Sequence, residues 1–268
     1  VFVPLQEIDV DLALAGKVVL VTGGSDGLGA ALVRTLCAEG ARVAFCGRSE
    51  DRVRAVADGV SAAGGDVLGV RADVTDASDL EGFVSAAHDR WGRIDGLVNN
   101  AGTSSAIPFD QQTESAWDDD LDLKLRAAIR TIRLVLPHLR SAGGGSIINV
   151  LNTGARAPAA GSTPTSVSRA AGLALTKALS KELGPDLIRV NAVLVGIVQS
   201  GQWVRRAAAR GITADELYAE VAATGQIPLG RVGLAAEFAD LAAFLLSERS
   251  AYITGTAINF DGGSSPVA

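Results

Sequence analysis

The run Lys17 to Val21 opens into Thr22-Gly23-Gly24-Ser25-Asp26-Gly27-Leu28-Gly29 and passes directly into the helical stretch Ala30 to Glu39. A strand, a glycine-rich turn and a helix in that order leave few folds open to the chain. Glycines at these positions permit a tight turn, let backbone approach an anion, and draw the helix close to the sheet, while the helix N-terminus offers unpaired N–H groups. Glycines alone would serve any turn that needs positive φ; the order of the elements is what points to phosphate binding.

The same rhythm continues along the chain. Short β-branched runs at Lys17 to Val21, Arg42 to Cys46, Val67 to Val70, Gly96 to Val98, Ile147 to Val150, Ile188 to Val193 and Ala257 to Phe260 are separated by longer amphipathic stretches. Strands alternating with helices predict right-handed βαβ crossovers: a doubly wound, Rossmann-like α/β fold with seven parallel strands and helices on both faces. Gly40 suits a left-handed residue after the first helix, and Gly184-Pro185 is expected to stop the helix at Lys181-Glu182-Leu183 by the same logic. Residues 1–15 are expected to form an N-terminal arm and residues 16–268 a single domain. Within it the segment at about 201–225, with Trp203, Tyr218 and two short helices, is placed as a lid over a ligand crevice.

Composition narrows the function classes. At 268 residues and 48% hydrophobic content the chain can bury one large core. A net charge of -6 with scattered basic residues argues against nucleic-acid binding, and Arg205-Arg206 with Arg210 reads as a solvated helix face. Cys37 and Cys46 lie in apolar elements, which argues against a disulfide framework or a metal site and fits a reducing cytoplasm. No run of about 18 apolar residues suggests a membrane span, and the N-terminus lacks signal-peptide features.

Further segments fall at telling separations. Asp73-Val74 follows the third strand, Asn99-Asn100-Ala101-Gly102 the fourth, and Arg189-Val190-Asn191 the start of the sixth, with Val195-Gly196-Ile197-Val198-Gln199-Ser200 at its end. With the spacing Thr-Gly-x-x-x-Gly-x-Gly and the ending Tyr252 to Gly263, these resemble the short-chain dehydrogenase/reductase (SDR) superfamily over about residues 16 to 263. Val195 stands where that family has proline. The resemblance implies a nicotinamide dinucleotide held by Thr22, Gly23, Ser25, Gly27, Leu28 and Gly29 at the phosphates. Asp73 and Val74 would meet the adenine, Asn100, Ala101 and Gly102 the nucleoside ribose, and Gly196, Val198 and Ser200 the carboxamide. Charge selects the nucleotide: a carboxylate after the second strand binds a ribose diol, whereas an arginine pairs with a 2′-phosphate. Gly47-Arg48-Ser49 carries no acid, so NADP(H) is expected over NAD(H), with Arg48 and Ser49 at the phosphate.

The family's proton-handling residues are asparagine, serine, tyrosine and lysine. Aligned on Trp117 and on Ser146 to Leu183, their positions read Lys124, Asn152, Thr165 and Arg169. A threonine hydroxyl lacks the phenol's ionisation and is a poor general acid, and an arginine stays protonated, so Arg169 can hold ribose but cannot shuttle. Asn152 can hold a carbonyl or an oxyanion. Lys124 is the titratable candidate, expected to point into the cavity; the competing reading is a surface lysine paired with Asp120 at i-4.

Three functions therefore stand open. The first is an NADP(H)-dependent oxidoreductase with an atypical proton relay, acting on a small carbonyl, imine or conjugated acceptor or the matching alcohol. The others are a nucleotide-binding pseudoenzyme or sensor, and non-redox lyase or isomerase chemistry in the same cleft. The resemblance also implies a homo-oligomer, a tetramer or dimer, through the helices at about 116 to 140 and 165 to 183.

Overall fold

The computed structural model describes residues 11–105 and 108–268; the first ten residues of the expected N-terminal arm lie outside them. The elements in chain order are β1 (Val18–Thr22), α1 (Gly27–Ala38), β2 (Arg42–Gly47), α2 (Glu50–Ala62), β3 (Val67–Arg71), α3 (Ala77–Trp91) and β4 (Gly96–Asn99). They continue with α4 (Glu114–Leu121), α5 (Ala127–Ser141), β5 (Gly145–Asn152), α6 (Thr165–Glu182), β6 (Ile188–Val195), α7 (Gly201–Ala209), α8 (Ala214–Ala223), α9 (Ala235–Leu246) and β7 (Ala257–Phe260). The strands form one parallel sheet in the order β3-β2-β1-β4-β5-β6-β7. This is the doubly wound, Rossmann-like fold that the alternation predicted.

Its sequence cause is visible in β1, where every residue is buried. Val19 and Val21 face one core layer, packed with Leu32, Leu36 and Phe238 of α1 and α9, while Val18 and Leu20 face the other, packed with Phe83, Val135 and Leu139 of α3 and α5. A strand covered on both faces needs a continuous apolar run, and each such side chain contributes about 1.5–3 kcal/mol by leaving water.

Most strands end a residue or two from the expected runs, and two boundaries have an instructive cause. Strand β5 runs from Gly145 to Asn152, beyond both ends of the apolar core Ile147 to Val150, because it pairs with β6 over eight residues. Gly40 is left-handed, with φ +77°, as expected, but Gly184 is not: it begins a 3₁₀ turn over Gly184–Asp186, and the left-handed residue is Leu187, φ +57°. The turn follows from Pro185, whose fixed φ suits a helical turn, and the reversal into β6 then falls on Leu187, whose carbonyl accepts from Gly145 N–H at 3.2 Å.

Candidate active site

The order of the strands reverses between β1 and β4, and in open α/β sheets the crevice beyond the strand ends at that point receives ligands. Here it is an open cleft of about 960 Å³. Thr22 Oγ1 accepts the N–H groups of Asn100 and Ala101 at 3.0 and 3.1 Å, and Asn100 Nδ2 donates to the carbonyls of Thr22 and Gly23. These bonds fix the glycine turn against the loop after β4. A Cβ on Gly23 would lie 2.9 Å from Ala101 Cα, and one on Gly29 would overlap the carbonyl of Gly23, so the turn closes only with glycine at both positions.

Most of the expected nucleotide residues come together on this cleft. Gly23, Ser25, Gly27, Leu28, Arg48, Asp73, Val74, Asn100, Ala101, Gly102, Gly196, Val198 and Ser200 line it. Three do not. Thr22 is 3% exposed and stitches the two loops together, Gly29 is the buried point where α1 meets the turn, and Ser49 caps α2 by accepting from Arg52 N–H at 3.5 Å. Arg48 is exposed at the end of β2 and has no hydrogen-bond or ion-pair partner among the described residues. Arg52, overlooked in the sequence, lines the cleft beside it.

On the opposite wall, Asn152 at the end of β5 and Thr165 and Arg169 in the first turns of α6 line the cleft. Arg169 Nη1 donates to the Val150 carbonyl at 2.7 Å, and its guanidinium lies so close to Gly102 that a Cβ there would come within 2.5 Å. Burial pulls the Arg169 pKa down to about 10, against the opposing pull of Asp120, so it remains a cation at neutral pH. Asn152 Oδ1 and Arg169 Nε are buried without partners.

Lys124 corrects both sequence readings. It does not line the open cleft, and it is not a surface lysine: its side chain has no exposure and sits behind Thr165. It occupies a π-helical turn, Asp122–Arg126, that joins α4 to α5. Its Nζ donates to Asp120 Oδ1, an unusually close pair, and to Thr165 Oγ1 at 2.8 Å. Burial lowers its pKa to about 8, Arg169 pushes the same way, and Asp120 opposes them. A void of about 20 Å³, room for one water, lies beside Lys124, Asn149 and Arg169.

Ser168 was missed by sequence reasoning, and Asp120 was read only as a surface partner of Lys124. The Asp120 carboxylate accepts from Ser168 Oγ at 2.6 Å through its other oxygen and is 3% exposed. The available signal was the i, i+3 spacing of Thr165 and Ser168, which puts two hydroxyls on one face of α6. Gln202 of α7 was also unassigned, and Arg205 was read only as part of a solvated helix face: Gln202 Nε2 donates to the Gly102 carbonyl at 3.1 Å, and Arg205 pairs with Asp26 of the glycine turn at 2.9 Å.

A family model described as enoyl-(acyl carrier protein) reductase matches residues 23–265, and the chain belongs to the short-chain dehydrogenase/reductase superfamily. Among particular proteins, a 3-oxoacyl-(acyl-carrier-protein) reductase of Chlamydia pneumoniae is 34% identical over 94% of this chain and 98% of its own. The NADPH-bound short chain oxidoreductase of Pseudomonas aeruginosa PAO1, described as containing an atypical catalytic center, is 38% identical with a TM-score of 0.89, covering 94% of this chain and 98% of its own. L-Sorbose reductase of Gluconobacter frateurii, solved with NADPH and L-sorbose, is 31% identical with a TM-score of 0.91 over 96% of this chain and all of its own. No helix among the described residues is long and apolar enough to cross a membrane.

Proposed function

We propose that the chain is an NADP(H)-dependent oxidoreductase with a non-standard proton relay, acting on a small carbonyl, imine or conjugated acceptor, or on the matching alcohol. The observation that carries the nucleotide choice is Arg48, an unpaired guanidinium on the cleft where NAD-binding folds place a carboxylate. A planar guanidinium matches a phosphate dianion through paired N–H donors, and Arg52 adds a second positive charge nearby. The glycine cradle fits the rest of the nucleotide: Gly23 and Gly29 close a turn that side chains would block, and α1 begins behind it. The NADPH-bound relatives support the same choice.

When bound, a dihydronicotinamide supplies hydride to an electrophilic carbon. The chain's own residues then hold and orient. Arg169 offers a cation at the ribose position and Asn152 an amide to the substrate, while Gly102 and Gly196 leave room for the Arg169 guanidinium and for Asp261 to pack against the loops that line the cleft. An iminium or conjugated acceptor needs little acid assistance, so positioned donors carry much of the work.

One observation favours binding without turnover. Thr165 Oγ1 is already engaged by protein, through Lys124, Ser105 and Asp120. The separating experiment is fluorescence titration with NADPH and NADH, followed by single-turnover oxidation of bound NADPH against ketones, imines and enones. The expected result is NADPH preference that Arg48→Ala reduces about 10- to 100-fold, the range for losing charge-assisted bonds, and hydride transfer to at least one acceptor class. Tight NADPH binding with no transfer to any acceptor would leave the sensor reading standing.

A further inference from the structure

We infer that Lys124 is the proton reservoir of the cleft and Thr165 its conduit, with Asp120 and Ser168 as positioning residues that hold the ammonium against the threonine hydroxyl. The inference rests on the oxidoreductase reading and names the acid that reading leaves unassigned.

The geometry is a chain of contacts running inward from the cleft. Thr165 forms part of the cleft wall, and Lys124 Nζ lies directly behind its hydroxyl at 2.8 Å. Thr165 Oγ1 accepts from Lys124 and from Ser105 N–H at 2.9 Å, which uses both lone pairs. Its single proton has two acceptors in reach, the Ser105 carbonyl at 3.0 Å and Asp120 Oδ1 at 3.3 Å. A hydroxyl whose oxygen is fixed by two donors while its proton has a choice of acceptors is a rotor. A substrate oxygen seated against Thr165 is a third acceptor, and turning the proton towards it leaves Lys124 in place to replace it.

The supporting residues face inward too. Asp120 joins the cluster through both oxygens, one towards Lys124 and Thr165, the other accepting from Ser168. The π-helical turn that carries Lys124 is a helix irregularity found disproportionately at functional sites. The charged groups facing Lys124 are Asp120 from the preceding turn of its own helix and Arg169 from α6. Two cations against one carboxylate leave an excess positive charge behind the cleft wall, which favours release of a proton and stabilises negative charge developing on a substrate oxygen.

The proton balance is simple. In carbonyl reduction the carbon gains hydride with its electron pair from the bound dihydronicotinamide, and the carbonyl oxygen takes the Thr165 hydroxyl proton. Thr165 Oγ1 takes a proton from the Lys124 ammonium, and the neutral amine is recharged from solvent. The hydroxyl never has to ionise, so the weakness of threonine as an acid does not matter.

Two measurements test this. In the unloaded protein, lysine labelled with ¹³C at Cε is titrated by NMR; the chain has four lysines, Lys17, Lys124, Lys177 and Lys181. One resonance is expected to titrate well below the other three, to vanish in Lys124→Met, and to move lower still in Asp120→Asn, which removes the stabilising carboxylate. In the NADPH-loaded protein, single-turnover hydride transfer to a ketone is followed against pH. The wild-type rate is expected to fall as the lysine deprotonates. Lys124→Met and Thr165→Val are expected to lose the pH limb and about 100-fold in rate, as for a general acid, while Thr165→Ser retains the limb and Asp120→Asn shifts it to lower pH. The double variant Asp120→Asn/Lys124→Met, without an unpaired buried charge, guards against loss through misfolding. If NADPH fails to bind wild-type protein, or binds and transfers no hydride to any acceptor, the oxidoreductase reading falls. If hydride is transferred and Lys124→Met keeps the wild-type pH profile, or the four lysines titrate together, the relay alone is overturned.

Discussion

The two walls of the cleft use their polar atoms in opposite ways. On the side of β1, α1 and β2, the cleft is lined by glycines, the start of a helix and the unpartnered guanidinium of Arg48. On the side of β5 and α6, Lys124, Asp120, Thr165 and Ser168 form a closed cluster with the Ser105 backbone, and the buried side-chain atoms left without partners there are Asn152 Oδ1 and Arg169 Nε. Unsatisfied groups are completed by a ligand, whereas a satisfied cluster such as that around Lys124 is stable without one and acts by rearranging protons within its bonds. The first wall therefore determines what binds, and the second determines what happens next.

The sharpest way to break this contrast is at Gly29. A Cβ there would overlap the Gly23 carbonyl, so Gly29→Ala forces α1 away from the turn. The expected outcome is loss of NADPH binding by at least about 100-fold, since several backbone N–H contacts are misplaced together, while the Asp120–Lys124 cluster on the other wall is untouched. Fluorescence titration and the lysine NMR titration check the two halves separately. If binding survives, the glycine turn is not where the phosphates sit.

Asp120→Ala comes next and acts on the other wall. It leaves the Lys124 ammonium buried with no carboxylate, and breaking a buried pair from one side costs about 3–5 kcal/mol. Asp120→Asn/Lys124→Met removes both charges and is expected to recover most of that loss by chemical denaturation, with NADPH affinity near wild type. pH sharpens the assignment. Burial holds the Lys124 pKa at about 8 in the folded protein against 10.5 when free, so between these values the unfolded chain binds a proton that the folded one does not. Wild-type stability should therefore rise, relative to the double variant, as pH increases from about 8 to 10.5.

The same contrast explains what was legible in the sequence. Strand, turn and helix announce themselves through local spacing, so the sheet and the glycine wall could be read from β-branched runs and the Thr22 to Gly29 turn. The Asp120–Lys124 pair is also local, but i, i+4 charges on an amphipathic helix ordinarily lie in water. What buries this one is α6, whose Thr165 and Ser168 arrive from more than forty residues away. Gly184 was misread for a related reason: glycine and proline mark an end to a helix, yet where the left-handed residue falls depends on the direction in which β6 must leave, and that put it on Leu187.

The smallest expected effect belongs to the element that spans both walls. Helix α7 is tied to the glycine turn through Arg205 and Asp26 and to the loop after β4 through Gln202 and the Gly102 carbonyl. Both side chains of the ion pair are well exposed, at 59% and 37%, so the pair itself contributes roughly 0–1 kcal/mol to stability. Its larger consequence is electrostatic. Asp26 places a negative charge in the turn proposed to hold the phosphates, and Arg205, with Arg52 at 3.7 Å, offsets it. Arg205→Ala should therefore leave the unfolding midpoint almost unchanged but weaken NADPH by about two- to fivefold at low salt, an effect that fades as salt screens the exposed charge. Adding Asp26→Asn to the same protein should restore the affinity, because the charge that Arg205 offsets is then gone; if the double variant stays weak, Arg205 acts by contacting the ligand rather than by quieting Asp26.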